Sequence, residues 1–180
     1  AFIHALQLGY GIETDIRDLN GDLVISHDPP LQGNKKLMGF DQFLSLYNKY
    51  RKKQTLALNI KSDGLSEKIS FLLKKYNIEN YFIFDLKIPD LLIYLKMNLN
   101  VFARESEYEN SFLLKNDVSG ILIDAFDENK YNLLDINYLI KKWDKVCIIS
   151  SELHGFDQIK FWRKLKEVNK YEKDKIIYLC

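Results

Sequence analysis

Short apolar segments of strand character alternate with amphipathic helical segments along the chain, and this alternation limits the possible folds more than any other feature. Strand-like stretches cover residues 9–17, 23–27, 55–61, 81–86, 101–104, 120–126, 146–150 and 175–179. Helical patterns cover residues 1–8, 40–52, 66–76, 89–96, 107–115, 133–142 and 156–168. Strand then helix, repeated across short connections, predicts an α/β protein whose parallel sheet is buried on both faces. No linker, repeat or low-complexity stretch divides the 180 residues, so one domain spanning 1–180 is expected.

Polar residues interrupt the apolar pattern most sharply in Gly11-Ile12-Glu13-Thr14-Asp15-Ile16-Arg17. Residues i and i+2 of a strand point to one face about 6.5–7 Å apart, so Glu13 and Asp15 could grip one hard cation such as Mg²⁺ or Ca²⁺. The plainer alternative is a solvated strand end, ion-paired with Arg17. An Asn20-Gly21 turn then returns the chain through Val24-Ile25-Ser26-His27-Asp28. A two-residue loop pairs Leu19 with Asp22 and sets His27 opposite Thr14, on the face away from both carboxylates. A three-residue loop centred on Asn20 sets His27 opposite Glu13, and one centred on Gly21 sets it opposite Asp15. An odd loop or a bulge is therefore expected, with Gly21 at positive φ.

Residues 1–30 resemble the glycerophosphodiester phosphodiesterase family. There a helix ending in Leu-Gly leads into Ile-Glu-x-Asp, an Asn-Gly or Asp-Gly turn and then His-Asp, and all three features occur here in that order. The family carries Glu-x-Lys on its next barrel strand, where this chain has Asn59-Ile60-Lys61. The lysine matches, and asparagine replaces the glutamate. The family's His-Arg-Gly belongs to a strand ahead of the opening helix, before the point where this sequence starts.

What the resemblance implies is a TIM (β/α)8 barrel, with residues 9–17 as its second strand and the later strands completing three to eight. The sequence then reads as a barrel truncated at both ends, since such barrels commonly run to about 250 residues. An open doubly wound sheet is the rival architecture, but no glycine-rich nucleotide loop follows any strand.

Barrel enzymes assemble their sites at the carboxyl ends of strands. Glu13 and Asp15 hold that place on the second strand, Asn59 and Lys61 on the third, Asp85 on the fourth, Arg104 and Ser106 on the fifth, Asp124 on the sixth, and the segment Ser150 to His154 on the seventh. The resemblance implies Glu13, Asp15 and Asn59 as ligands of a divalent cation (Mg²⁺ or Ca²⁺), His27 as the catalytic acid or base, and Lys61 as a contact to substrate phosphate. His154 is a candidate substrate contact by position. The plainer alternatives are a turn histidine backed by Asp28 for His27, and an ion pair with a strand-end carboxylate for Lys61. His4, on an apolar helix, is expected to be a core or surface residue without a functional role, and Trp143 and Trp162 are expected to be packing residues.

Composition narrows the partners. Lys and Arg number 26 against 25 Asp and Glu, a balance that argues against nucleic acid as the default partner, while 47% hydrophobic residues supply ample core. Cys147 and Cys180 provide no disulfide framework and are expected to be reduced thiols of a cytoplasmic protein. No apolar run approaches about 18 residues, and no signal sequence is expected within the segment, whose first residue, Ala1, is not an initiator methionine and reads as mid-domain.

The resemblance thus implies a metal-dependent phosphoric diester hydrolase of lipid metabolism acting on a glycerophosphodiester or related small molecule. A degenerate barrel that binds a phosphorylated ligand without turnover is the alternative raised by Asn59 in place of glutamate. A lyase or aldolase using Lys61 as a Schiff-base amine is a third, which requires a desolvated amine rather than two neighbouring carboxylates.

Overall fold

The computed structural model describes residues 1–30, 37–50, 54–127, 133–168 and 176–180. The chain divides into two units, Ala1–Val101 and Phe102–Cys180.

In the first unit, helix α1 (Phe2–Leu8) ends on Gly9, which takes the left-handed conformation at φ 84° and returns its N–H to Ala5 and Leu6. The Gln54 side chain caps the same helix end by donating to the Leu6 carbonyl, and Tyr47 donates to the Gln54 carbonyl. Strands β1 (Ile12–Leu19) and β2 (Asp22–Ile25) form an antiparallel hairpin, and β3 (Leu56–Ile60) and β4 (Tyr81–Phe84) follow in parallel, giving the order β2-β1-β3-β4. Ile83 also bridges Val101 in parallel.

Helices α2 (Phe40–Tyr50), α3 (Ser66–Lys75) and α4 (Ile88–Lys96) connect these strands. Their buried positions recur at helical spacing, as in Phe40, Phe43, Leu44 and Tyr47 of α2 and Ser66, Ile69, Ser70 and Leu73 of α3. They cover the sheet face that carries Ile12, Thr14 and Ile16 of β1 and Leu56, Leu58 and Ile60 of β3, all buried. Each large aliphatic side chain withdrawn from water there contributes about 1.5–3 kcal/mol. Because β1 and β3 pair in parallel with Glu13 opposite Ala57 and Asp15 opposite Asn59, the intervening residues of both strands emerge together on the opposite face.

The second unit carries a parallel sheet of β5 (Phe102–Glu105), β6 (Gly120–Ile123), β7 (Lys145–Ile148) and β8 (Ile176–Leu179) in sequential order. Helices α5 (Leu133–Lys142) and α6 (Gln158–Val168) accompany it, with Ile136, Ile140, Trp143 and Phe161 packed against Ile121, Ile123, Val146 and Ile148. Gly120 sits where a Cβ would meet the Lys145 carbonyl oxygen at 2.7 Å, so the close approach of β6 to its neighbour requires glycine.

Two expectations are corrected. The hairpin loop is the two-residue Asn20-Gly21 turn with Leu19 opposite Asp22, not an odd loop or a bulge. Asn20 at φ 51° and Gly21 at φ 87° are both left-handed, the pattern of the tight turn whose twist matches paired strands, so Gly21 has the expected positive φ in a different loop. The helix expected over residues 107–115 is instead a 3₁₀ turn, Ser111–Leu114. Side chains capture its first backbone N–H groups, Glu105 accepting from Ser111 and Asn110 from Phe112, while the Ser111 hydroxyl ties the turn to the Arg104 carbonyl of β5.

Two strands depart by three residues at one end, β1 beginning at Ile12 rather than Gly9 and β6 ending at Ile123 rather than Phe126, and the other elements fall within a residue or two of their expected limits. Residues 51 and 52 of the second helix and 175 of the last strand lie outside the described residues. Among the described residues no helix is long and apolar enough to cross a membrane.

Candidate functional site

The face of the first sheet turned away from its helices bears a cluster of polar residues. Glu13 and Asp15 of β1 share this face with Asn59 of β3 and with Lys61, whose N–H continues the ladder onto the Ile16 carbonyl. Asp15 and Asn59 are direct register partners. The Lys61 ammonium lies 2.8 Å from Asp85 and 3.7 Å from Asp15. Four of the six residues singled out in the sequence, Glu13, Asp15, Asn59 and Lys61, are thus brought together.

Two further residues complete the cluster. Asp85 follows β4 with φ 66°, a left-handed conformation uncommon outside glycine. The strand pleat ends there, and the carboxylate meets Lys61. Arg17, also on β1, donates from Nε to the His27 carbonyl and from Nη1 to the Lys61 carbonyl, both at 3.0 Å. One guanidinium therefore ties the loop after β2 to the end of β3. The position of Asp85 at a strand end was visible in the sequence, whereas nothing local marked Arg17 as a link.

Electrostatic crowding is concentrated on Glu13. Partial desolvation of its carboxyl at the sheet face, and after that the charge of Asp15, raise its pKa above the ordinary 4.5, although the residue as a whole is exposed to solvent. A hydrogen bond with the Asn59 side chain and the charges of Lys61 and His27 act in the opposite direction. The Asn59 side-chain oxygen is buried and makes no hydrogen bond. The amide N–H is the end that meets Glu13; turned over, Asn59 would present its oxygen with the two carboxylates of the same sheet face, a donor set a hard divalent cation takes. Among the described residues no three of His, Cys, Asp and Glu form such a group, so the third protein oxygen would be the Asn59 amide.

His27 stands in the loop after β2. Register places Ser26 beside Asp15, with its N–H donating to the Asp15 carbonyl at 3.2 Å, and beyond it the chain leaves the ladder. Departure from the sheet removes the conflict that favoured an odd loop, because residues outside a ladder no longer alternate faces. The imidazole side chain is 80% exposed, with Nδ1 2.9 Å from Asp28, which leaves Nε2 facing outward.

His154 belongs to the second unit. It lies in the 3₁₀ turn Ser151–His154 after β7, and its Nε2 is 2.7 Å from Asp124 at the carboxyl end of β6. The ring packs edge-on against Phe126, with Phe156 nearby, and Asp124 also faces Arg104 at 3.9 Å. Arg104 is engaged by Glu109 as well. In both units the charged side chains gather at the carboxyl ends of parallel strands, where α/β proteins build their sites.

The fold is shared with several solved structures. A provisionally named glycerophosphodiester phosphodiesterase from Galdieria sulphuraria is similar with a TM-score of 0.75 at 15% identity, over 99% of this chain and 84% of that one. A glycerophosphodiester phosphodiesterase from Parabacteroides distasonis gives a TM-score of 0.72 at 15% identity, over 99% and 83%. A phosphodiesterase from Oleispira antarctica, in complex with the product sn-glycerol-3-phosphate, gives 0.68 at 13% identity, over 98% and 85%. The likeness is one of fold, and it bears out the expected TIM-type α/β barrel class and, at that level, the resemblance seen in residues 1–30. No protein-family model and no curated protein matches the chain.

Proposed function

We propose that the protein is a divalent-cation-dependent phosphoric diester hydrolase acting on a glycerophosphodiester or a related small phosphodiester. The observation that carries this reading is the gathering of Glu13, Asp15 and Asn59 on one sheet face, with an Asn59 side-chain oxygen that no described group satisfies. The shared fold supports it, as does the glycerol phosphate product held by one of the similar proteins. A role in lipid metabolism and a cytoplasmic setting belong to the same reading.

Glu13, Asp15 and Asn59 would hold the cation, and Asn59 supplies a neutral oxygen where a carboxylate would add charge. The bound cation would neutralise nonbridging phosphate oxygens. Lys61, oriented by Asp85, contributes a positive point charge on the same sheet face. His27, oriented through Nδ1 by Asp28, offers Nε2 either to protonate the leaving alkoxide or to take a proton from the attacking group. On a substrate with a vicinal hydroxyl that group is internal, and the product of the first step is a cyclic phosphate. His154, backed by Asp124, is assigned to substrate contact. An ion-paired lysine is ill suited to Schiff-base chemistry, which requires a desolvated neutral amine.

One observation favours a second reading, binding without turnover: Lys61 is already engaged by two carboxylates. Hydrolysis of bis(p-nitrophenyl) phosphate and glycerophosphocholine, with Mg²⁺, Ca²⁺ or EDTA and beside Glu13→Ala and His27→Ala, separates the two. Cation-dependent turnover lost in both variants is expected. Binding of cation and glycerol phosphate with no hydrolysis would establish the second reading.

A further inference from the structure

Cys147 and Cys180 are 33 positions apart in the chain, yet their sulfurs lie 3.4 Å from each other. Backbone pairing produces this approach. Strands β7 and β8 run in parallel with Cys147 opposite Tyr178 and Ile148 opposite Leu179. Cys180 comes next, and its N–H donates to the Ile148 carbonyl at 3.0 Å while its own carbonyl accepts from the Ser150 N–H at 2.7 Å. Those two bonds seat Cys180 beside Ile149. With a side-chain period of two, residues 147 and 149 of one strand share a face with residues 178 and 180 of the other, so the thiols are diagonal neighbours on that face. Their exposure differs: Cys147 is fully buried, and Cys180 is partly open to solvent.

We propose that this is a peroxide-responsive thiol pair, in which Cys180 meets the oxidant and Cys147 resolves it into a reversible intrachain disulfide. The Cys180 sulfur attacks one oxygen of hydrogen peroxide, the O–O bond breaks, and the second oxygen leaves as water with the thiol proton, giving a sulfenic acid. The Cys147 sulfur then attacks the sulfenyl sulfur, the S–O bond breaks, and a second water leaves with the Cys147 proton. The two thiols lose two electrons and the peroxide gains them. The sulfurs must close from 3.4 Å to about 2.05 Å. Because diagonal neighbours stand about 7–8 Å apart, wider than a relaxed disulfide spans, the backbone at Cys180, beyond the end of β8, must also move toward Cys147. The reduced thiols expected from the sequence are the resting form of the pair, and a dithiol reductant restores them.

The test is to expose the protein to a small molar excess of hydrogen peroxide, alkylate under denaturing conditions and measure its mass. The expected result is a loss of two hydrogens with neither cysteine alkylated, a cross-linked peptide joining Cys147 to Cys180, and full reversal by dithiothreitol. Cys147→Ser and Cys147→Ala, each checked for a folded circular dichroism spectrum, should stop at a sulfenic acid on Cys180 that dimedone labels, whereas the unaltered protein labels weakly. Two alkylatable thiols after treatment, bridges only between molecules, or equal dimedone labelling with and without Cys147 would each overturn the proposal.

Discussion

The ammonium of Lys61 rests 2.8 Å from a carboxylate oxygen of Asp85, a residue held at φ 66°. The next carboxylate, Asp15, is 3.7 Å away and is assigned as a cation ligand. Asp85 therefore holds the closer contact and shares with Asp15 a positive charge that would otherwise fall on that ligand alone. Asp85→Asn preserves tolerance of the left-handed backbone and removes the charge. Lys61 should then turn toward Asp15 and compete with the cation. The concentration of Mg²⁺ giving half-maximal activity is expected to rise about tenfold, the lower end of what outer partners of metal ligands contribute. A metal titration of activity, repeated by calorimetry, checks this.

Asn59 offers a neutral oxygen at a place where the third ligand of a hard cation would ordinarily be anionic. Asn59→Glu adds the missing charge beside Asp15, its register partner, and beside Glu13. Tighter binding of Ca²⁺ or Mg²⁺ is expected, together with a lower melting temperature in EDTA because three carboxylates then repel one another. Calorimetric titration and thermal melts with and without chelator read the two effects separately. An unchanged cation affinity would mean that residue 59 is not a ligand.

Glu13→Gln tests the same charge balance through pH. A carboxyl whose pKa is raised in the folded state adds stability below its ordinary 4.5, and that contribution is lost as pH climbs through the raised value. At neutral pH without cation the ionised Glu13 therefore opposes folding. The glutamine variant should melt at a higher temperature than the parent at pH 7 in EDTA, and the advantage should vanish on acidification below 4.5. Cation at a hundredfold excess over its Kd should stabilise the parent by about 2.7 kcal/mol and the variant much less.

The polar face was legible because strand periodicity and parallel register together leave few options. Once residues 12, 14 and 16 and residues 56, 58 and 60 are read as the helix-facing rows, Glu13, Asp15, Asn59 and Lys61 must share the other side. The hairpin loop escapes a periodicity argument because His27 does not remain in the ladder. In the structure β2 stops at Ile25 and Arg17 holds the His27 carbonyl, a long-range contact that no local pattern encodes. The stretch 107–115 has a helical hydrophobic pattern, but Glu105 and Asn110 take the Ser111 and Phe112 N–H groups that a helix over 107–115 would need. The backbone of Asp85 was equally hidden, since aspartate enters the left-handed region only when its surroundings require it.

His27 separates catalysis from binding. Its side chain is 80% exposed and its ring, among the described residues, bonds to the adjacent Asp28, so His27→Ala removes little packing. The Arg17 link runs through the His27 backbone carbonyl and survives the substitution. Melting temperature and cation affinity should thus stay close to those of the parent, while kcat on glycerophosphocholine falls by about 10²–10⁴, the usual contribution of a general acid or base. Asp28→Asn should give a smaller loss, because the ring keeps its Nε2 and loses only the carboxylate that orients Nδ1. A drop in kcat with KM and cation affinity unchanged would identify His27 as the proton-transfer group; a parallel loss of cation affinity would instead make it part of the cation site.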